Sequence, residues 1–417
     1  MNQAPAASVS AADQMRSDIT YLASDPLEGR GTGTAGNDTA AAFIARRYNA
    51  LRLSSIAQPG RAACAKGGRQ GKSECFELPF TASVPVRNAA PRLLKTQNVA
   101  AIIPGRGALA GEYVIIGAHF DHLGRDSANA RDPEKGRVIH PGADDNGSGT
   151  VTVMEIARRL ARRPTGRSVI VVNFTGEELG TLGSAQFANH LPVSRDSVQV
   201  MVNFDMVGRL KNDKLIIYGV STATEMKGIL DSANVAPKLA IAAIGDGEGP
   251  SDHAAFYRKD LPVLHLFTDL HDDYHTAADV AARINMDGMV RVADYAERVV
   301  RALADRPARL TFQRVQTAGA NRPPSTGSGV YLGSIPDMGA ADVKGMQLSG
   351  VRPGSPADQG GLKGGDIIIK FGSKVITNIY DYTDAMGSYK PGDVVDVIVL
   401  RSGKEVTLKI TLGRRGS

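Results

Sequence analysis

His119, Asp121, Asp144, Asp145, Glu177, Glu178, Asp205 and His275 are the side chains of this sequence best suited to shared chemistry. All eight histidines fall between His119 and His275. In His119-Phe120-Asp121 the two-residue period of an extended chain puts imidazole and carboxylate on one side. The acid can then fix the ring's tautomer while the other ring nitrogen binds a metal. Glu177 and Glu178 are adjacent like charges whose side chains diverge, so one can hold a cation while the other handles a water proton. Asp205 ends an apolar run, where an unpaired carboxylate is costly and wants a cation or a strong donor. Asp144 to Gly149 reads as a polar, glycine-rich turn into a helix, its acids serving as helix caps or cation ligands. His275 lies in an acidic loop, His271 to Asp279. Each group alone has an ordinary structural explanation, but all of those explanations must hold at once for no site to exist. Imidazole and carboxylate without thiolate suit zinc, with manganese or cobalt as substitutes and calcium disfavoured. Such an ion can lower the pKa of a bound water and polarise the oxygen of a group under attack.

The elements that must carry these groups alternate. Apolar, β-branched runs at Tyr113–Ala118, Ser168–Phe174, Val198–Phe204, Leu215–Val220 and Leu261–Phe267 interleave with helical patterns at Gly149–Arg163, Ser184–His190, Thr222–Ala233 and Met286–Ala304. That alternation predicts an α/β domain with a mostly parallel mixed sheet flanked by helices. The candidate groups follow its strands, and in open α/β sheets ligands bind beyond the carboxyl ends of strands. Upstream, Ser8–Ala23 and Thr39–Leu53 predict two helices around the glycine-rich turn Gly29–Gly36, with Asn37 and Asp38 as caps. The spacing predicts a stiff linker over 305–328. After it, short strands at Met346–Val351, Asp366–Phe371, Val394–Leu400 and Glu405–Ile410 with a helix near Tyr380–Tyr389 form a small separate domain.

The chain of 417 residues is 42% hydrophobic and 22% charged, which excludes fibrous and natively unfolded classes. No run reaches the roughly 20 apolar residues a bilayer span needs, so no membrane span is expected. The net charge is +6, but aromatic residues make up only 5% and the densest basic stretch, Arg61–Lys72, carries no ring to stack on a base. No nucleic-acid partner is expected. Cys64 and Cys75 are the two cysteines, too far apart for a short zinc or redox motif. They either close a disulfide, which implies an oxidising compartment, or remain surface thiols; the expectation is the disulfide.

The segments GAHFDHLG, GADDNGSGT, FTGEELGTLGS, NFDMVG, SDHAAF and DDYHTAAD, in that order, resemble the M28 peptidases, the co-catalytic zinc aminopeptidase family. The likeness runs from about Ser8 to Ala304, so the peptidase domain is placed at 1–304. It implies two zinc ions: His119 and Asp205 on one, Glu178 and His275 on the other, Asp145 bridging. It implies Glu177 as general base toward a metal-activated water, Asp121 as the partner that orients His119, and Tyr274 as oxyanion stabiliser. Asp144 stands outside the implied ligand set, and Asp252 and His253 are read as structural or supporting. Related enzymes often carry an inserted protease-associated domain; here only 59–91 occupies that region, read as a small disulfide-held flap.

Residues 329–412 resemble a bacterial-type PDZ domain, with GVYLGSIPDM as its carboxylate-binding loop. The resemblance implies a C-terminal peptide ligand at Leu332, Gly333, Ser334 and Ile335, added as a strand. The expected function is an aminopeptidase acting on peptides with a free N-terminus, in the periplasm or secreted. Alternatives are carboxypeptidase or dipeptidase specificity on the same site, a cyclase-like transferase on this fold, or a PDZ adaptor with a degenerate site.

Overall fold

The computed structural model describes residues 10–56, 73–86, 89–126, 130–249, 251–315, 330–336, 343–352, 354–376 and 379–414. They form two compact units, one of residues 1–132 and 137–315 and one of 316–417 with the short stretch 133–136. The first unit holds helices α1 (Ala11–Leu22), α2 (Ala35–Ala50), α3 (Gly149–Arg162), α4 (Leu182–Asn189), α5 (Met226–Ala233), α6 (His253–Tyr257) and α7 (Met286–Asp305). Its strands are β1 (Ser54–Ser55), β2 (Glu77–Val86), β3 (Ala89–Ile103), β4 (Tyr113–His119), β5 (Ser168–Phe174), β6 (Val198–Phe204), β7 (Lys214–Tyr218), β8 (Ala240–Ala243) and β9 (Val263–Phe267).

Strands β5 and β6 are buried at every residue, and that is the property that puts them at the centre of a sheet covered on both faces. The order is β1-β3-β5-β4-β6-β9-β7-β8, with β2 paired to β3. The four central strands β5, β4, β6 and β9 run parallel, while β3 and β7 join them antiparallel. Alternate residues feed two cores. Val114, Ile116, Val169 and Val171 pack on the side of α1, α2, α3 and α7, whereas Ile115, Ile170, Val172 and Met201 pack on the side of α4 and α6. Helix α7 buries Met289, Val292, Ala296, Val299 and Leu303 along one stripe, and Asn285 caps it by accepting the Gly288 N–H at 2.9 Å.

Three sequence expectations change here. Helix α2 begins at Ala35, not Thr39, because Thr34 caps it by accepting the Asn37 N–H. Asn37 is instead buried inside the helix, where its amide donates to the Arg30 carbonyl. The segment read as a flap continues into a long hairpin: β2 pairs along β3 from Glu77–Val99 to Val86–Ala89. Its period-2 pattern was masked by proline, which an edge strand tolerates: Pro79 sits opposite Gln97 in the ladder. The first part of the expected linker, up to Val315, stays on the first unit, with Arg309 bonded to Glu112 and the Val198 carbonyl, and the Val315 N–H to the Tyr257 hydroxyl.

The second unit contains β10 (Val330–Tyr331), β11 (Ser334–Pro336), β12 (Met346–Val351), α8 (Pro356–Gln359), β13 (Ile367–Phe371), β14 (Lys374–Val375), α9 (Ile379–Gly387), β15 (Val394–Arg401), β16 (Lys404–Thr411) and β17 (Gly413–Arg414). The sheet runs β11-β12-β13-β15-β16 around a core that includes Leu348, Ile368, Phe371, Val397 and Val399. Asp366 ties its end by a two-pronged bond to Arg401, 2.7 Å on each oxygen. Among the described residues no helix is long and apolar enough to cross a membrane.

Candidate metal centre

The parallel register brings the candidate groups to one edge. His119 ends β4 level with Phe174 of β5, so Glu177 and Glu178 begin three residues beyond. Gly117 pairs with Asn203, and continuing that register sets Asp205 opposite His119. Asp145 arrives on the connection from β4 into α3, and His275 on the loop after β9. His275 has a left-handed backbone, φ 56°, a conformation that costs a non-glycine residue of order 1–3 kcal/mol and persists where the surroundings impose it.

Two donor groups result. His119, Asp145 and Asp205 form one; His122, Asp145, Glu178 and His275 form the other, and Asp145 belongs to both. Asp145 Oδ1 is 3.4 Å from His119 Nε2 and Oδ2 is 3.1 Å from His275 Nε2. Asp205 Oδ1 lies 3.4 Å from His119 Nε2, and Glu178 Oε2 3.2 Å from His275 Nε2. The structure thus gathers all five residues named as ligands. Asp144 points elsewhere: its Oδ1 accepts the Gly208 N–H at 2.7 Å and its Oδ2 meets His271 Nε2 at 3.1 Å. The Asp145–Asn146 peptide is cis.

The electrostatics of the two groups ask for cations. Burial pulls the His119 and His275 pKa values down, but the facing carboxylates outweigh it. His119 rises well above the ordinary histidine value and His275 is pushed up to about 10. Both rings are drawn to carry positive charge where bound ions would supply it. Burial alone would raise Glu178, yet His275 and His122 hold it well below the usual carboxylate range. Glu177 goes the other way. Burial, with Glu178, Asp252 and Asp205 nearby, lifts it well above that range, and its Oε2 stands 4.0 Å from His119 Nε2. Burial and the acids of the cluster also raise the Tyr274 phenol, which stays protonated; its ring stacks on His275 at 3.8 Å.

The Asp121 side chain lies beside His119 and is held there by two donors. Its carboxylate accepts the Thr32 hydroxyl at 2.7 Å and the Glu177 N–H at 3.3 Å. The nearest polar atom to His119 Nδ1 is the Asp121 carbonyl at 3.2 Å, with the carboxylate at 3.6 Å. Asp252 and His253 are fully buried at the start of α6; burial pushes Asp252 up to about 7, and His253 stacks on His265 at 4.5 Å.

Four contributors were not assigned from the sequence. His122 and Ser251 contact Glu178 and Asp205 at 2.8 and 2.7 Å. Thr32 holds Asp121. Arg30, fully buried, donates to the carbonyls of Leu22, Phe120, Pro141 and Gly142, joining the segments on either side of the site. The available signals were the second histidine of GAHFDHLG, the serine of SDHAAF and a lone arginine in a glycine-rich turn.

In the second unit, Leu332 is 1% exposed and packs in the core, so its side chain is not presented to a groove. Gly333 has φ 83° and a Cβ there would stand 2.2 Å from Ser355 Cβ, which requires glycine. Ser334 opens β11 opposite Val351, and its hydroxyl meets that of Tyr382 on α9 at 2.8 Å. Ile335 pairs with Gly350 through the backbone. Cys75 lies in a short 3-10 turn at Ser73–Phe76, but the expected bridge depends on Cys64, outside the described residues.

Fold and site together define an open α/β domain with two acid-and-imidazole groups at the carboxyl edge of its sheet. Residues 98–300 match the family model of peptidase family M28 and residues 330–412 that of the PDZ domain. A probable leucine aminopeptidase of Trichophyton verrucosum is 32% identical over 213 residues, 48% of this chain and 54% of that protein. Leucine aminopeptidase 1 of Trichophyton rubrum is 35% identical over 215 residues, 47% and 55% respectively. The chain therefore spans little more than half the length of these relatives. Among solved structures, the zinc aminopeptidase BSAP of Bacillus subtilis superposes with a TM-score of 0.54 at 18% identity, covering 71% of this chain and 95% of that one. A glutaminyl cyclase of Bacteroides thetaiotaomicron superposes at 0.55 with 15% identity, covering 70% and 97%. At those identities the likeness concerns the fold.

Proposed function

We propose that this chain is a two-zinc aminopeptidase, exported to the periplasm or secreted, that removes N-terminal residues from peptides. The observation that carries the reading is the pair of donor groups sharing Asp145, whose two oxygens face two different histidines. The donor set, imidazole and carboxylate without thiolate, fits zinc, and carboxylate-driven protonation of both histidines marks where positive charge belongs. His119, Asp145 and Asp205 would hold one ion, Asp145, Glu178 and His275 the other. Bound there, the ions supply Lewis acidity and an acidified water.

The chain's own residues do the rest. Glu177, whose carboxyl is raised by burial and by neighbouring acids, takes the proton of the attacking water and returns it to the departing amine. Thr32 and the Glu177 N–H hold the Asp121 carboxylate beside His119 and limit how that ring can turn. The Tyr274 phenol, kept protonated, donates to the oxyanion as the carbonyl is attacked. The PDZ domain takes a C-terminal peptide by strand addition at β11, with backbone N–H groups from Leu332 to Ile335 as donors.

The test is a panel of aminoacyl-p-nitroanilides, beginning with leucine because the relatives are named for it, alongside peptides with free and N-acetylated amino termini. Free-amine substrates should be cleaved, chelator should stop the reaction and zinc should restore it. Equal cleavage of acetylated peptides would replace the reading with carboxypeptidase or dipeptidase specificity, and no hydrolysis of any substrate would overturn it.

A further inference from the structure

We propose that His122 is a positioning residue: its Nδ1–H holds one oxygen of Glu178, so that Glu178 offers only the other to a metal. This rests on the two-metal reading above.

The argument begins from distances. Ligands about 2.0–2.1 Å from a tetrahedral zinc stand roughly 3.3 Å from one another. The pairs His275–Asp145, His275–Glu178, His119–Asp145 and His119–Asp205, at 3.1, 3.2, 3.4 and 3.4 Å, have that spacing. His122 does not. Its Nδ1 is 2.8 Å from Glu178 Oε1, a hydrogen-bond distance, and 3.6 Å from Asp145 Oδ2. The oxygen it contacts is not the one that meets His275, which is Oε2. An ionised carboxylate only accepts, so this bond places the proton on Nδ1, and a protonated nitrogen has no lone pair for a metal.

The other donor group is built on the same plan. Ser251 donates to Asp205 Oδ2 at 2.7 Å, while Oδ1 faces His119; Asn203 in turn donates to Ser251 at 2.8 Å. Each terminal carboxylate thus has one oxygen tied by a donor and one facing a histidine.

The His122 ring is itself fixed. It is 1% exposed, lies edge-on to His275 at 5.6 Å, and packs against Gly142, where a Cβ would stand 2.4 Å from the ring's Cγ. Gly142 also has φ 58°, so glycine serves both the turn and the space for the ring.

The test is titration of the metal-free protein with zinc against a chromophoric chelator, for the wild type, H122A and H122N. An asparagine amide sets an N–H near the position of Nδ1 but offers no nitrogen lone pair. The wild type should take two ions. H122A should bind the weaker of its two ions about 10–100-fold less tightly, and H122N should stay within about threefold of wild type. H122N as weak as H122A would make His122 a ligand and overturn the proposal, as would unchanged affinities in H122A. Circular dichroism of the metal-free proteins reports folding, and H122F, which keeps a ring without the donor, replaces H122A if that variant unfolds. A wild type binding fewer than two ions would instead refute the two-metal reading.

Discussion

Asp144 and Asp145 are neighbours in sequence and both are buried, yet their carboxylates meet different partners. Asp145 faces His119 with one oxygen and His275 with the other, whereas Asp144 is spent on the Gly208 N–H and on His271. Asp145→Asn should therefore strip both ions, because it weakens both groups at once. Asp144→Asn should keep two ions and lose stability by about 1–3 kcal/mol, the cost of disturbing buried partners. Metal content after gel filtration, with denaturant unfolding, separates the two; equal zinc in both variants would contradict the assignment.

Glu177 and Glu178 are expected to divide in the same manner. Glu177→Gln removes a proton acceptor and should lower kcat by roughly 10²–10⁴-fold with zinc retained. Glu178→Ala should lose metal from one group. Normal turnover in the first variant would remove Glu177 from the chemistry.

Zinc uptake should release protons. The facing acids outweigh burial and raise both His119 and His275, the latter to about 10, so in the metal-free protein His275 holds a proton at pH 7 and His119 is shifted the same way. A metal needs those lone pairs, so binding should release protons, and affinity should rise with pH and fall as acid restores them. Calorimetry in buffers of different ionisation heat reads the number; a binding enthalpy independent of buffer would contradict it.

Arg30 should matter to stability far more than its place in a glycine-rich turn suggests. Arg30→Met would leave four buried carbonyls without their donor, a loss of about 3 kcal/mol or more in urea unfolding of the metal-free protein. A loss below 1 kcal/mol would show that those carbonyls find other partners.

How much of this was legible in the sequence follows from what each residue depends on. Strands β5 and β6 could be read to the residue because burial on both faces leaves a short run dominated by apolar, β-branched residues, in SVIVVNF and VQVMVNF. The β2–β3 hairpin could not, since an edge strand need not be apolar and its prolines look like loop. The candidate ligands stood out because they follow parallel strands, a property of chain order. Spacing alone could not separate Asp144 from Asp145, and nothing in it marks His122 as the partner of Glu178. Those depend on how a turn directs its side chains, which only the folded backbone decides.

The most direct measurement is anomalous diffraction at the zinc edge from crystals of remetallated protein. The account predicts two peaks about 3.5–4 Å apart, one among His119, Asp205 and Asp145 and one among Asp145, Glu178 and His275. A single peak, or none beside Asp145, would contradict it.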